Sequence, residues 1–303
     1  MQFSRHLPRL LAACVLASSL ACAWRAEATV IRFTTSLGSY NVRLFPTLMP
    51  VTVDNMLDYV NADRYNGTFV HRSVPGFVIQ GGGFAYNATT NSAPPIQLYP
   101  AINDEPGGGV AGPSNLRGTI AMAKSGPNTV TSQWFINLGN NSSLDSPARP
   151  DGGFSAFGRV LGNGMTVVDA IAALTPYDLD GTSSSLFDAV PLRSATGALN
   201  DVLVHVTDVS VLNIPAGDFN IDGKVDAADL AVLKADFGST TKAEADANGN
   251  GRVDGADFLI WQRTFGQNFG APAAAAVAAV PEPAAATLAF LAVIGCSLAR
   301  RRK

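Results

Sequence analysis

A twelve-residue acidic pattern that occurs twice, 28 residues apart, constrains this chain more than any other feature of its sequence. Asp218-x-Asn220-x-Asp222-Gly223-x-Val225-Asp226-x-x-Asp229 recurs as Asp246-x-Asn248-x-Asn250-Gly251-x-Val253-Asp254-x-x-Asp257. Each copy leads into apolar residues at i, i+3 and i+7, Leu230, Leu233 and Phe237 and then Phe258, Trp261 and Phe265, and ends at Gly238 or Gly266. That spacing predicts one helix per copy, closed by a glycine suited to the left-handed conformation past a helix end. Oxygen side chains at loop positions 1, 3, 5, 9 and 12, with glycine at 6, are the hard ligands and sharp turn that Ca2+ takes. The expected donors are Asp218, Asn220, Asp222, Asp226 and Asp229, then Asp246, Asn248, Asn250, Asp254 and Asp257, with the carbonyls of Lys224 and Arg252 at position 7. The alternative is a pair of Asp/Asn-rich surface turns, against which two matched copies argue. Helix pairs this small bury little core, so two calcium ions are expected to be coupled to folding.

Residues 30–211 have a different character. Short β-branched or alternating runs such as Val30–Phe33, Tyr40–Phe45 and Val202–Val206 are separated by Gly/Pro/Asn turns. They read as strands. Helical spacing occurs at Val53, Met56, Leu57 and Val60, within a stretch from Val51 to Val60, and at Val168, Ile171 and Ala172, within Met165 to Leu174. Many short strands with two helices predict a mainly β fold built on a closed antiparallel barrel.

Both ends read as processing segments. Arg5 and Arg9 precede an apolar run from Leu10 to Leu20, and Ala26-Glu27-Ala28 offers small residues to a signal peptidase, so residues 1–28 are read as a secretory leader. Cleavage before Cys22 as a lipoprotein is the rival, disfavoured by Ser19 where a large aliphatic is expected. At the other end an Ala-rich linker (269–280) precedes Pro281-Glu282-Pro283, sixteen uncharged residues from Ala284 to Ala299, and Arg300, Arg301, Arg302 and Lys303. Spanning a bilayer takes about 20 apolar residues, so sixteen is marginal. This order resembles the bacterial PEP-CTERM sorting signal, which implies an exosortase-type sorting enzyme as a partner and a membrane contact through the C-terminal helix. A plain tail anchor is the alternative. Either reading places the protein outside the cytoplasm, in the envelope, at the cell surface or in the extracellular matrix.

Without residues 1–28 and 284–303 the chain keeps 14 basic and 23 acidic residues, a balance of −9 that excludes a nucleic-acid partner. Cys14, Cys22 and Cys296 all fall in those end segments, so a true core rather than disulfides must hold the fold. His71 and His205 are the histidines left, which excludes a histidine-rich zinc site.

Three ordered motifs carry a family resemblance. Tyr65-Asn66-Gly67-Thr68-Phe69-Val70-His71-Arg72-Ser73-Val74-Pro75-Gly76-Phe77-Val78-Ile79-Gln80-Gly81-Gly82-Gly83-Phe84 resembles the cyclophilin signature. Gly118-Thr119-Ile120-Ala121-Met122-Ala123-Lys124-Ser125-Gly126-Pro127-Asn128-Thr129, with Ser132-Gln133-Trp134-Phe135-Ile136, is similar to the family's central motif, and Phe154–Val160 to its third. The resemblance covers residues 29–213 and implies a closed antiparallel eight-stranded β-barrel with two helices, peptidyl-prolyl cis/trans isomerase activity, and no cofactor for catalysis. It implies Arg72, Gln80, Phe77, Gln133 and Phe135 as catalytic residues. His71, Val78, Ala123, Lys124, Leu144 and Phe154 are implied as binding residues for proline-containing polypeptides. The acidic repeats at 216–268 are in turn similar to a type I dockerin, an α-helical, EF-hand-like calcium module, which implies a cohesin-like partner. Loop positions 10 and 11, Ala227-Ala228 and Gly255-Ala256, do not match the best-known cellulosomal patterns.

These residue types suit the chemistry without the family. Rotation about an X-Pro bond crosses a barrier of about 18–20 kcal/mol because the amide loses resonance, and no bond is made or broken. What helps is a seat for the proline ring and a donor aimed at the prolyl nitrogen, which gains a lone pair only as the amide twists. Arg72, always charged and rigid in its fork, fits the donor. Gln80, eight residues on, is expected to hold the guanidinium. Where eukaryotic relatives carry a tryptophan that contacts cyclosporin this chain has Ser143, and Phe154 replaces the usual rim histidine, so weak cyclosporin binding with retained activity is expected. The rival from another class is a non-catalytic surface protein whose barrel binds proline segments. The linker reading further suggests that the barrel isomerises equally well without residues 214–303. Thr175 to Asn200 has no functional reading from sequence.

Overall fold

The computed structural model describes residues 29–105, 113–181, 186–242 and 244–269, which belong to one compact unit. The leader read over 1–28 and the sorting tail read over 281–303 lie outside the described residues, as does all of the 269–280 linker but Phe269. Among the described residues no helix is long and apolar enough to cross a membrane.

Eleven strands form among the described residues: β1 (Val30–Thr35), β2 (Gly38–Leu44), β3 (Thr68–Phe69), β4 (Arg72–Val74), β5 (Val78–Gly81), β6 (Thr119–Met122), β7 (Trp134–Asn137), β8 (Ala156–Val160), β9 (Pro176–Tyr177), β10 (Val190–Pro191) and β11 (His205–Val211). Nine of them join in the order β3-β11-β1-β2-β8-β6-β7-β5-β4, every neighbour antiparallel. β3 and β4 are two halves of one bent strand. Between them Val70 donates its N–H to Val204 on one side (2.9 Å), and His71 donates to Gln80 on the other (3.1 Å). The bend closes the ring, so the nine segments make an eight-stranded closed barrel, as the resemblance implies. An open sheet would leave unpaired edges, which the closed barrel removes.

The interior is filled from alternate positions along each strand. Phe33, Ile79, Ile120, Trp134, Ile136 and Val206 point inward and are buried. Phe33 stacks on Tyr40 at 5.0 Å and meets Trp134 edge-on at 5.0 Å. Trp134 in turn explains two glycines of the signature: a Cβ on Gly81 would lie 2.7 Å, and one on Gly82 2.6 Å, from its indole.

Two helices pack on this core, α1 (Pro50–Asn61) and α2 (Gly164–Ala172), close to the ranges their periodicity predicts. Pro50 suits the first turn of α1, whose N–H groups have no helical partners. The Glu105 carboxylate accepts from two of them, Val51 (3.0 Å) and Thr52 (2.7 Å). Val53, Met56 and Val60 of α1 and Val168 and Ile171 of α2 are buried in the barrel core. One predicted strand is corrected: Val202 ends a helical turn, α3 (Leu199–Val202), and β11 starts only at His205. Asp201 in the first turn of α3 favours the helical start.

The acidic repeats supply α4 (Ala227–Asp236) and α5 (Gly255–Thr264), each opened by a capping box, Asp226 with Asp229 and Asp254 with Asp257. Phe219, Leu233, Ala245, Ala247 and Val253 form their small core. Phe237 and Phe265, read as part of the apolar helix faces, instead follow the last helical residue and stand 60% and 57% exposed.

Candidate active site and calcium loops

Strand alternation places the candidate active site on the outside of the barrel. Because Ile79, Ile120, Trp134 and Ile136 point inward, their neighbours Val78, Gln80, Ala121 and Phe135 point outward. The register then sets Arg72 of β4 opposite Gln80 of β5, Gln80 opposite Phe135 of β7, and Phe135 opposite Ala121 of β6. Four adjacent strands thus present Arg72, Gln80, Phe135 and Ala121 as one row. Directly opposite residues share a face of the sheet.

Beside this row lies an apolar cluster separate from the barrel core. Val78, Ala121, Phe135 and Leu144 are buried, and Phe77, Ala123 and Phe154 pack on them from the rim. Phe135 meets Phe154 edge-on at 5.6 Å. Of the residues implied for the proline seat, all five, Phe77, Val78, Phe135, Leu144 and Phe154, therefore meet in one patch. Phe154 is flanked by cations, with Lys124 Nζ and the Arg149 guanidinium each 5.7 Å from its ring. Lys124 is itself pinned by Asp104 at 2.6 Å. The Ala123 N–H donates to the Gln133 carbonyl at 2.8 Å, which joins the end of β6 to the start of β7.

Three details add to the sequence reading. Gln80 Nε2 donates to Gln133 Oε1 at 2.8 Å, so this amide steadies Gln133. Gly83 makes room for Gln133, since a Cβ there would stand 2.9 Å from that side chain. His71, implied as a binding residue, is fully buried. It sits edge-on to Phe69, Phe84 and Phe187, and burial, with the neighbouring Arg72 charge acting the same way, lowers its pKa to about 4. Gln133 and the Phe69 backbone offset part of that shift.

Sequence reasoning missed the polar scaffold behind the patch. Asn115 donates from Nδ2 to Asp145 Oδ1 (2.7 Å) and to the Phe154 carbonyl (2.8 Å), and accepts from Asn137 Nδ2 (3.1 Å). Asn141 Nδ2 donates to Asn137 Oδ1 (2.8 Å) and to the Phe77 carbonyl (2.9 Å). One buried network therefore fixes the loops that carry Phe77, Leu144 and Phe154. The unread Thr175–Asn200 segment also has a structural place. β9 pairs with β10, Phe187 covers His71, and the Ala189 carbonyl accepts from Ser73 of β4 at 2.7 Å. Asp178, Asp180 and Asp188 of this segment bring carboxylate oxygens within 4.8 Å of one another.

The two acidic loops repeat the same hydrogen bonds from backbone N–H groups to their buried carboxylates. Asp218 accepts from the N–H groups of Asp222 and Gly223, and Asp246 from those of Asn250 and Gly251. Asp229 accepts from Phe219, Asn220 and Asp226, and Asp257 from Ala247, Asn248 and Asp254. These four carboxylates are fully buried. Burial raises the pKa of Asp218 and Asp257, and that of Asp246 to about 6. Buried carboxylates that lean on one another call for a cation, and an all-oxygen donor set is the chemistry of Ca2+. The donor set thus fits a hard divalent ion.

Comparison with known proteins agrees with both readings. Residues 30–194 match the sequence profile of the cyclophilin type peptidyl-prolyl cis-trans isomerase/CLD family, and residues 216–265 that of the dockerin type I domain. A peptidyl-prolyl cis-trans isomerase of Acinetobacter baylyi is 40% identical over 162 residues, covering 53% of this chain and 80% of the relative. Isomerase A of Dickeya dadantii is 41% identical over 169 residues, 54% of this chain and 84% of the relative. A crystal structure of a Cryptosporidium parvum cyclophilin type isomerase aligns with a TM-score of 0.43 at 20% identity, covering 62% of this chain and 99% of that one. The chain belongs to the cyclophilin type peptidyl-prolyl cis-trans isomerase family and carries a dockerin type I domain behind its isomerase barrel.

Proposed function

We propose that this isomerase acts on Xaa-Pro bonds of exported or envelope polypeptides and is held at the cell surface or in the extracellular matrix through its C-terminal modules. The observation that carries the site is the row of Arg72, Gln80, Phe135 and Ala121 beside an outward apolar seat. The proline ring rests on Phe135, Leu144 and Phe154, with Phe77 and Val78 at its edge, while Ala123 and Lys124 border the peptide backbone. Arg72 lies two strands from Phe135 and donates to the prolyl nitrogen as its lone pair forms. This interaction is stronger in the twisted amide than in the planar one, which is the condition for catalysis. Gln133, braced by Gln80, orients the adjoining peptide group.

In the repeats, Asp218, Asn220, Asp222, Asp226 and Asp229, and Asp246, Asn248, Asn250, Asp254 and Asp257, with the Lys224 and Arg252 carbonyls, would hold two calcium ions. Bound calcium neutralises the buried carboxylates and so permits the loops to fold. A cohesin-like partner at the dockerin domain, and a sorting enzyme reading residues 281–303, complete the attachment.

The test is a protease-coupled isomerisation assay on the mature chain from residue 29, using a Xaa-Pro tetrapeptide. Arg72→Ala should lower kcat/KM about 100-fold to 1,000-fold, the loss typical of a transition-state donor. Equal background rates in both proteins, with proline-peptide binding retained, would favour the non-catalytic binding protein instead.

A further inference from the structure

Arg43 is one residue from the end of β2, and it is only 1% exposed. A guanidinium buried so far requires partners. They come from the acidic repeats. Arg43 Nη1 donates to the Asp246 carbonyl at 3.2 Å, its guanidinium lies 5.9 Å over the Phe219 ring, and Asp246, Glu244, Asp218 and Asp257 surround it with negative charge. Thr47 Oγ1 donates to the Asn248 carbonyl at 2.7 Å, and the Gly162 N–H donates to Glu244 Oε1 at 3.1 Å. Ile221 packs with Val30, Phe45 and Leu161.

The two repeats differ at loop position 4, and the barrel explains why. Ile221 occupies it in the first loop at φ 60°, and Gly249 in the second at φ 64°. The loop itself accepts a side chain there, as Ile221 demonstrates. At Gly249, however, a Cβ would lie 2.7 Å from Pro46 Cδ, 3.1 Å from the Leu44 carbonyl oxygen and 3.3 Å from Phe45 Cα. The glycine is demanded by the close approach of the barrel, not by the turn.

We propose that the barrel rim from Arg43 to Leu48 is a docking surface for the chain's own acidic repeats, and that docking and cation loading of the second loop are one coupled equilibrium. The proposal rests on the calcium reading above. The barrel grips the backbone carbonyls of Asp246 and Asn248, two of the residues whose side chains are assigned to the ion. A rim that holds these residues in place favours the loaded loop, and by reciprocity a loaded loop favours docking. Three carboxylates, Asp246, Asp254 and Asp257, against a divalent ion leave a negative charge, so Arg43 stays attracted when the loop is full.

Hydrogen exchange read by mass spectrometry on the mature full-length chain, in Ca2+ or in chelator, tests this. Chelation should open residues 246–257 and, with them, the rim at 42–49. Gly249→Asn, which tolerates the left-handed backbone but not the contact, should exchange at the rim about tenfold faster in Ca2+, and one of two sites should bind Ca2+ about tenfold more weakly, within the 5–150-fold range of coupled sites. Thr47→Val, a change confined to the barrel, should weaken the same site in the same direction. If chelation opens 246–257 while 42–49 stays protected, the coupling is wrong and the calcium reading stands. If neither segment responds, the calcium reading fails and takes the proposal with it.

Discussion

Lowering the pH from about 7.5 to about 4.5 tests the burial of His71 directly. The imidazole is 0% exposed among Phe69, Phe84 and Phe187, with its pKa lowered to about 4 from the ordinary 6.5. Between those two values the unfolded chain takes up a proton that the folded chain refuses. Stability from neutral His71 is therefore complete above about 6.5 and is lost as pH falls toward 4. At about 1.36 kcal/mol per pKa unit, roughly 2.5 kcal/mol is gone by pH 4.5. The assay is urea unfolding of the wild type and of His71→Leu at both pH values, so that the acidic residues common to both cancel. With a slope of about 1–3 kcal/mol per molar urea, the wild-type midpoint should fall by about 1 M more than that of the variant. Parallel pH profiles would refute the argument, because they would mean that the imidazole is already solvated in the folded barrel.

Three other outcomes follow from the packing. Gly82→Ala places a methyl 2.6 Å from Trp134 Cδ1 and 2.8 Å from the Ser132 carbonyl oxygen at a φ of +78°, and should cost about 3 kcal/mol, a fall in Tm of roughly 6–12 °C by calorimetry. Asn115→Ala leaves the buried Asp145 carboxylate and the Phe154 carbonyl short of a donor, at about 2–3 kcal/mol of stability, and should raise KM more than it lowers kcat as the Phe154 loop loosens. With Ser143 and Phe154 at the groove, cyclosporin should inhibit the purified protein weakly, and nanomolar inhibition would overturn that expectation.

Much of the site was legible because its residues stand in motifs whose spacing matches the pleat. Arg72 and Gln80 are eight residues apart with Pro75-Gly76 between them, which is a hairpin, and a hairpin brings its ends together. The Asn115, Asn137 and Asn141 scaffold was not legible, because Asn115 reaches the other two only through the fold and an asparagine has no pattern of its own until its partners are placed. The burial of His71 was not legible for a related reason, because Phe84 and Phe187, which cover it, come from other segments of the chain.

Local rules sufficed for whatever depends on near neighbours: strands from alternation, α1 and α2 from a 3.6-residue period, and the acidic loops from twelve consecutive residues. These features depend on interactions within a turn or two of chain, so the order of residues alone determines them. Tertiary structure decided the rest. It closed the ring at the bend between Phe69 and Arg72, set the Thr175–Asn200 segment against β4, and buried Arg43 of the barrel against loops some two hundred residues away. A separable calcium module on a linker was the natural sequence reading, since charge and apolar pattern change abruptly at Asp218. Yet Leu212 and Ile214, on the connecting segment, pack into the same cluster as Phe45 and Leu161. A buried cation finds its counter-charges wherever the fold brings them, and that proximity is written in three dimensions rather than in the spacing of residues along the chain.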